Sequence, residues 1–372
     1  MTTETVAAPL APSRAAAATP GSAYVDYVDL LRGLAILQIV MLHAGNAFLL
    51  QGLPEQTSRS AAVHAVNLVL FHDSTLYFSI ISGILYSHLF WRRPHGPFFR
   101  ARLANIGSPY LVMSLVLTAV AWALAARRDG VADWGLFARE LVVNILTGDA
   151  WNTMWYIPVI LGLYAISPIL SRLARSARWR WIAVLIVLLP LLISRTGTVL
   201  TPAIFVYFGG AFMFGLMLGV ALEASIDILR QNLRWLCVAA LLATAALVIT
   251  FATDIDRIGF TSLRETLFYV QRLSMASILL VALHAWSAPA DSILRSLLVA
   301  AASTSFGVYF VHGPALRPIA RLVGAIMPPG QPWWALIAGV VATFLAGLAV
   351  SLAVVALARL ALGKRSRLVI GA

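Results

Sequence analysis

About ten apolar stretches decide what this chain can fold into. They lie near residues 30–50, 63–90, 108–126, 153–171, 181–196, 201–222, 235–252, 263–287, 299–321 and 333–361. Most are long enough to cross a bilayer as helices, which satisfy their own backbone hydrogen bonds in lipid. Only 11% of residues are charged and 60% are hydrophobic, with a mean hydropathy of +0.87. A soluble domain carries about a quarter charged residues, so that class is excluded. The expectation is an all-α polytopic membrane bundle of about ten transmembrane helices. The second span is unusually polar and the fifth is short. Leu136 to Leu146 reads as an interfacial or re-entrant helix. No internal repeat stands out, and no connection is long enough for a separate soluble domain.

Residues 1–22 are rich in Ala, Thr and Pro and read as a disordered cytoplasmic tail. They lack the apolar region of a signal peptide, so the first span is expected to serve as an uncleaved insertion signal. The membrane domain is expected over residues 23–363, with a short basic tail at 364–372. Net charge is +12, almost entirely arginine, with Lys364 the single lysine. Arg92, Arg93, Arg100 and Arg102 follow span two. Arg172, Arg175, Arg178 and Arg180 follow span four, Arg230 and Arg234 precede span seven, and Lys364, Arg365 and Arg367 close the chain. These alternate with acid-balanced loops, so the positive-inside rule places both termini in the cytoplasm. The excess of arginine signals topology rather than nucleic-acid binding. Cys237 is the one cysteine, leaving no disulfide framework and no thiol metal site.

Within the first span, DYVDLLRGLAILQIVMLHAGN, Arg32 and His43 stand eleven residues apart. That separation is about 1100° of helix, three turns plus some 20°, so both lie on one face roughly 16 Å apart. A guanidinium and an imidazole in line on an apolar helix are costly in lipid and must face protein or water. Gly33 and Gly45 thin the helix beside each. This combination favours a site over two separately satisfied polar residues.

Span two carries His72, Thr75, Ser79, Ser82 and Tyr86 at 3-4-3-4 spacing, a single polar stripe on a helix. His72, with its neighbour Asp73, falls at a depth similar to that of His43. Span nine adds Tyr309 and His312 at that depth, in STSFGVYFVHGPALRP. Three histidines at one depth suggest a polar chamber. Pro314 and Pro318 in span nine, and Pro158 and Pro168 in span four, should disturb their helices, which membranes tolerate where a cavity is lined. A metal site has no support, because no two histidines fall at i, i+3 or i+4 and no HExxH or CxxC occurs. Phosphate-loop and dinucleotide glycine patterns are missing, as is the GxSxG elbow of serine hydrolases.

The stretch YVDYVDLLRGLAILQIVMLHA resembles the opening of the acyltransferase-3 family, integral-membrane acyltransferases whose first helix carries R-x10-H. Four further segments are similar in order. They are YFSIISGILY (77–86), FFRARLANIGSPYL (98–111), MWYIPVILGLYAISPIL (154–170) and SFGVYFVHG (305–313). The family often shows R-x-x-R in its basic connection, whereas here Arg102 is followed by Asn105. The family's fused extracytoplasmic hydrolase-like domain has no counterpart after span ten.

The resemblance implies transfer of an acyl group, most simply acetyl from acetyl-CoA, to a hydroxyl of an envelope or secreted carbohydrate or lipid-linked glycan. The protein would then be a multi-pass protein of the inner or plasma membrane. Acyl-CoA is a co-substrate, and no bound cofactor is expected. His43 and Arg32 would be the catalytic pair, with His43 taking the acceptor's proton, a contribution of roughly 10²–10⁴-fold. Arg32, Arg100 and Arg102 would hold the polyanionic donor, since arginine grips phosphate bidentately. His72, Asp73, Ser82, Trp155, Tyr309 and His312 are the pocket candidates. A secondary transporter or a non-catalytic envelope-assembly protein remains the alternative, although a transporter would favour internal repeats and embedded carboxylates.

Overall fold

The structure is a computed structural model and describes residues 25–130, 133–195, 197–258, 261–286, 292–328 and 330–371. The tail expected at 1–22 lies outside the described residues. Helix α1 (Asp26–Ala47) carries Arg32 and His43 and continues into a wider π turn over Phe48–Gly52. After it come α2 (Ser58–Phe71), α3 (Thr75–Leu85), α4 (His95–Arg102), α5 (Ser108–Asp129), α6 (Trp134–Thr147) and α7 (Tyr156–Arg175). The second half holds α8 (Arg180–Leu188), α9 (Pro202–Val220), α10 (Leu222–Gln231), α11 (Leu233–Thr253) and α12 (Leu263–Ala285). Helices α13 (Ile293–Ala325), α14 (Trp333–Leu362) and α15 (Ser366–Ile370) complete the chain. An antiparallel pair of two-residue strands, Arg257–Ile258 and Thr261–Ser262, is the only sheet among the described residues. The architecture is the expected all-α polytopic bundle.

Nine helices among the described residues are long and apolar enough to cross a membrane. The span expected near 181–196 is shorter, comprising α8 and a 3₁₀ turn over Leu189–Leu191. Together these rise roughly 20 Å, less than a hydrocarbon core of about 30 Å. The chain therefore leaves helical geometry early, with Leu192 and Ile193 exposed and Arg195 buried in the protein.

Small residues set the helix pairs. A β-carbon on Gly33 would collide with the Leu298 carbonyl oxygen, so α1 and α13 pack backbone to backbone. Asp26 meets Arg295 at 2.7 Å where the two helices begin, and Gly52 meets Ala320 and Gly324 at their far ends. The two helices therefore run parallel. Helices α3 and α9 are parallel as well, with Gly215 against Ile80 and Gly219 against Ile84. Tyr27 at the start of α1 touches Glu223 of α10 and His284 at the end of α12. Ser108 at the start of α5 donates to the Leu368 carbonyl of α15 at 2.7 Å. Both described chain ends thus sit at one end of the bundle, where α3 and α9 finish.

The expected disturbances at proline are not breaks. Pro168, Pro314 and Pro318 lie inside continuous helices, and Pro158 sits in the first turn of α7, where its missing N–H costs nothing. The break falls instead at His72–Ser74, between α2 and α3, where no proline occurs. Asp73 there has φ +59°, a left-handed conformation that Asp adopts more readily than most residues. The carbonyls freed by the break are taken up by Arg272 of α12, whose Nε donates to the His72 carbonyl at 2.6 Å and Nη2 to that of Val69 at 3.3 Å. Ser74 Oγ lies 2.9 Å from Gln38 Oε1 of α1, tying the break to the organising helix. His72 therefore stands outside the helix that carries Thr75, Ser79 and Ser82, and Tyr86 opens the π turn that follows it.

Candidate active site

A cavity of about 270 Å³ opens beside the break. Helix α1 contributes His43 and Asn46, and the break contributes His72, Asp73 and Thr75. Trp151, Asn152, Thr153 and Trp155 enter from the α6–α7 loop, Arg195 from beyond α8, Glu265 from α12, and Tyr309 and Arg317 from α13. The path of α6 explains that loop's position. Trp122 of α5 donates to the Asp133 carbonyl at the start of α6, and Tyr110 to the Ile145 carbonyl near its end. Helix α6 thus returns along α5 and ends at Gly148, φ +82°, delivering the loop to the interior. The Tyr309 hydroxyl then donates to the Thr153 carbonyl. Gly313 leaves room for Trp151 and Thr153 against α13.

His43 and His312 pack ring to ring, their centroids 5.3 Å apart. His312 is fully buried, and its Nδ1 lies 2.9 Å from the Val308 carbonyl, an acceptor only. Nδ1 therefore carries the proton, and Nε2 is left as an acceptor, buried with no partner. Of the three histidines expected at one depth, His43 and His72 line the chamber and His312 stacks behind His43.

The opposite wall is ionic. Arg195, 3% exposed, reaches Asp73 Oδ1 at 2.6 Å, Glu265 Oε2 at 2.9 Å and His72 Nε2 at 3.1 Å. Because arginine only donates, His72 Nε2 accepts and the ring holds its proton on Nδ1. Tyr207 donates to Asp73 Oδ2 at 2.7 Å. Burial works against the Arg195 charge, and the Asp73 and Glu265 carboxylates bonded to it compensate that cost. His72, Asp73 and Glu265 also bring three ligand-type atoms within 4.8 Å of one another, a spacing that suits a metal. Arg195 already hydrogen-bonds all three, so the protein's own cation fills that place.

Toward the end where the chain termini lie, a narrow seam of about 30 Å³ shares Tyr309 with the chamber and includes Ser82, Tyr156 and Tyr164. Ser79 bonds Tyr156 at 2.8 Å, and Tyr164 donates to Ser82 at 2.9 Å. Ser82 thus belongs to the seam rather than the chamber. Beyond Tyr164, the Arg102 guanidinium lies about equally over the rings of Tyr164, Phe98 and Phe90, at 5.1, 5.1 and 5.3 Å. Its Nε is buried without a partner. Arg100 is exposed, and Arg32 is paired with Asp29 at 2.5 Å. A π turn over Leu103–Gly107 separates Arg102 from Asn105, which is exposed.

This framework matches, over residues 25–352, the family model described as an acyltransferase domain, that of acyltransferase-3. The chain belongs to the acyltransferase-3 family. It is accordingly a membrane acyltransferase, and its R-x10-H pair, chamber and seam all fall within the matched region. No curated protein and no solved structure matches it. Sequence reasoning on this acyltransferase missed Arg195, Tyr207, Glu265, Arg272, Trp151 and Arg317. Arg272, an arginine well inside an apolar span, carried a usable signal of its own. The others converge only through the fold.

Proposed function

We propose that this acyltransferase moves an acyl group, most simply acetyl, from cytoplasmic acyl-CoA to a hydroxyl of an envelope or secreted carbohydrate, with His43 as general base. The observation that carries this reading is that Tyr309 borders both the chamber holding His43 and the seam leading toward Arg102. Donor and acceptor can then approach one point from opposite ends of the bundle. Trp151, Trp155, Asn46 and Asn152 give the chamber ring faces and amides suited to a sugar. The arginine-rich connections support a cytoplasmic position for the seam's far end.

His43 removes the proton from the acceptor hydroxyl as its oxygen attacks the thioester carbonyl. The new C–O bond forms, the C–S bond breaks, and coenzyme A leaves as the thiolate. His312 keeps the His43 ring packed from behind. Arg102, pinned on three aromatic rings, offers its remaining N–H groups to the donor, and Arg32 adds positive charge at the same end of the bundle. The seam is narrow, so the donor's thiol arm must widen it by moving Phe78 and Phe306, both half-buried.

The test is acyl-CoA consumption by the purified protein, with and without a mixture of envelope glycans. Glycan-stimulated release of free thiol is expected. No release under either condition contradicts the reading.

A further inference from the structure

The cytoplasmic ends proposed for α3 and α7 hold a second cavity, of about 420 Å³, lined by Tyr86, Trp91, His95, Ser171, Arg172 and Arg175. We propose that it is a phosphate-binding pocket. Three polar atoms of its lining residues are buried and have no protein partner: Tyr86 Oη, Ser171 Oγ and Arg175 Nε. Tyr86 is 1% exposed and Ser171 3%, so both side chains are buried. A buried hydroxyl with nothing to bond is costly, and native proteins seldom keep two in one cavity without a use.

Charge fixes the sign of the ligand. No carboxylate lines the cavity, whereas Arg172 and Arg175 do. Arg175 is locked in place, its guanidinium 3.8 Å from the Trp91 ring centroid and its Nη2 bonded to the Ser87 carbonyl and, at 3.0 Å, to Ser87 Oγ. Arg92 stacks on the same indole. Arginines at this end satisfy the positive-inside rule in any case. That rule explains their number but neither the unpartnered hydroxyls nor the pinned geometry. Two hydroxyl donors and guanidinium N–H groups around a cavity suit an anion with several acceptor oxygens, a phosphate monoester or diphosphate.

Two sources offer that chemistry, the nucleotide end of the acyl donor and the headgroup of an anionic lipid. The Phe98 ring packs against both Tyr86 and the Arg102 guanidinium. The pocket is thus one ring from the arginine proposed to hold the donor. Assigning the phosphate to the donor's nucleotide rests on the acyl-CoA reading; the pocket itself does not.

Calorimetric titration with adenosine 3′,5′-bisphosphate, which has no thioester, tests the pocket apart from catalysis. The purified full chain should bind it, and Arg175→Gln should weaken binding at least tenfold. Tyr86→Phe and Ser171→Ala each remove one unpartnered hydroxyl and keep the side chain's shape. Each should weaken binding several-fold while leaving the melting temperature unchanged or higher, which separates a ligand contact from a structural one. A parallel arm measures phosphatidylglycerol against phosphatidylcholine in vesicles containing each variant. Arg175-dependent preference for phosphatidylglycerol, with no bisphosphate binding, supports the pocket and assigns it to lipid. If neither ligand is sensitive to Arg175, Tyr86 or Ser171, the proposal is overturned. Bisphosphate binding that depends on these residues, in a protein that never consumes acyl-CoA, upholds the pocket and removes the acyltransfer reading.

Discussion

Arg195 and Asp73 lie 122 residues apart in sequence and 2.6 Å apart in space, both nearly out of reach of solvent. Their ion pair joins the segment beyond the short α8 to the break between α2 and α3, and so holds two irregular pieces of chain against each other. Glu265 closes the same cluster.

Removing the cation should cost more than removing one anion. Arg195→Gln leaves Asp73 and Glu265 facing each other without compensation, a loss of about 3–5 kcal/mol for breaking a buried pair from one side. Asp73→Asn keeps a side chain that tolerates φ +59° and leaves Arg195 still paired with Glu265, so its loss should be smaller. Thermal unfolding in detergent checks the order. Equal stability of Arg195→Gln and wild type would deny the cluster its structural role.

Donor binding should depend on Arg102 and be indifferent to Asn105. Arg102→Ala removes a guanidinium held against three rings with an unpartnered Nε, and should weaken acyl-CoA binding about 10–100-fold, the loss of one charge-assisted contact. The π turn carries Asn105 out of the ordinary i, i+3 relation, so Asn105→Arg should leave affinity unchanged. Arg32→Ala should raise KM for the donor, and Arg32→Lys should recover only part, because an ammonium lacks the bidentate fork. Equilibrium binding and initial rates against donor concentration decide each. Intact binding in Arg102→Ala would displace the donor from this segment.

Arginine placement, together with the shared position of the described chain ends, predicts the topology. Reporter fusions after Arg93 and Arg178 should read cytoplasmic, and one after Asp129 extracytoplasmic. The opposite reading after Arg93 would invert the route proposed for the donor.

Nine of the ten expected spans and the fold class were legible because apolar length and helical period are local properties. The helix break was not. Prolines marked Pro314 and Pro318 as suspects, yet α13 runs through both, while the chain breaks at Asp73 because Arg272 and Gln38 hold it from other helices. The ionic wall was hidden for the same reason. Asp73, Arg195 and Glu265 come from a break, a connection and a first helical turn, and no periodic pattern links them. The polar stripe Ser79, Ser82, Tyr86 was visible, but its partners Tyr156 and Tyr164 appear only once α3 and α7 are packed.

The central claim is that His43 is the base in the chamber, and turnover of His43→Ala against donor concentration tests it most directly. Monodisperse His43→Ala should lose about 10²–10⁴-fold in kcat while still binding acyl-CoA, because a proton acceptor used in the transition state is gone and the donor's grip is elsewhere. Near-normal turnover in that variant would contradict the account and leave the chamber without its base.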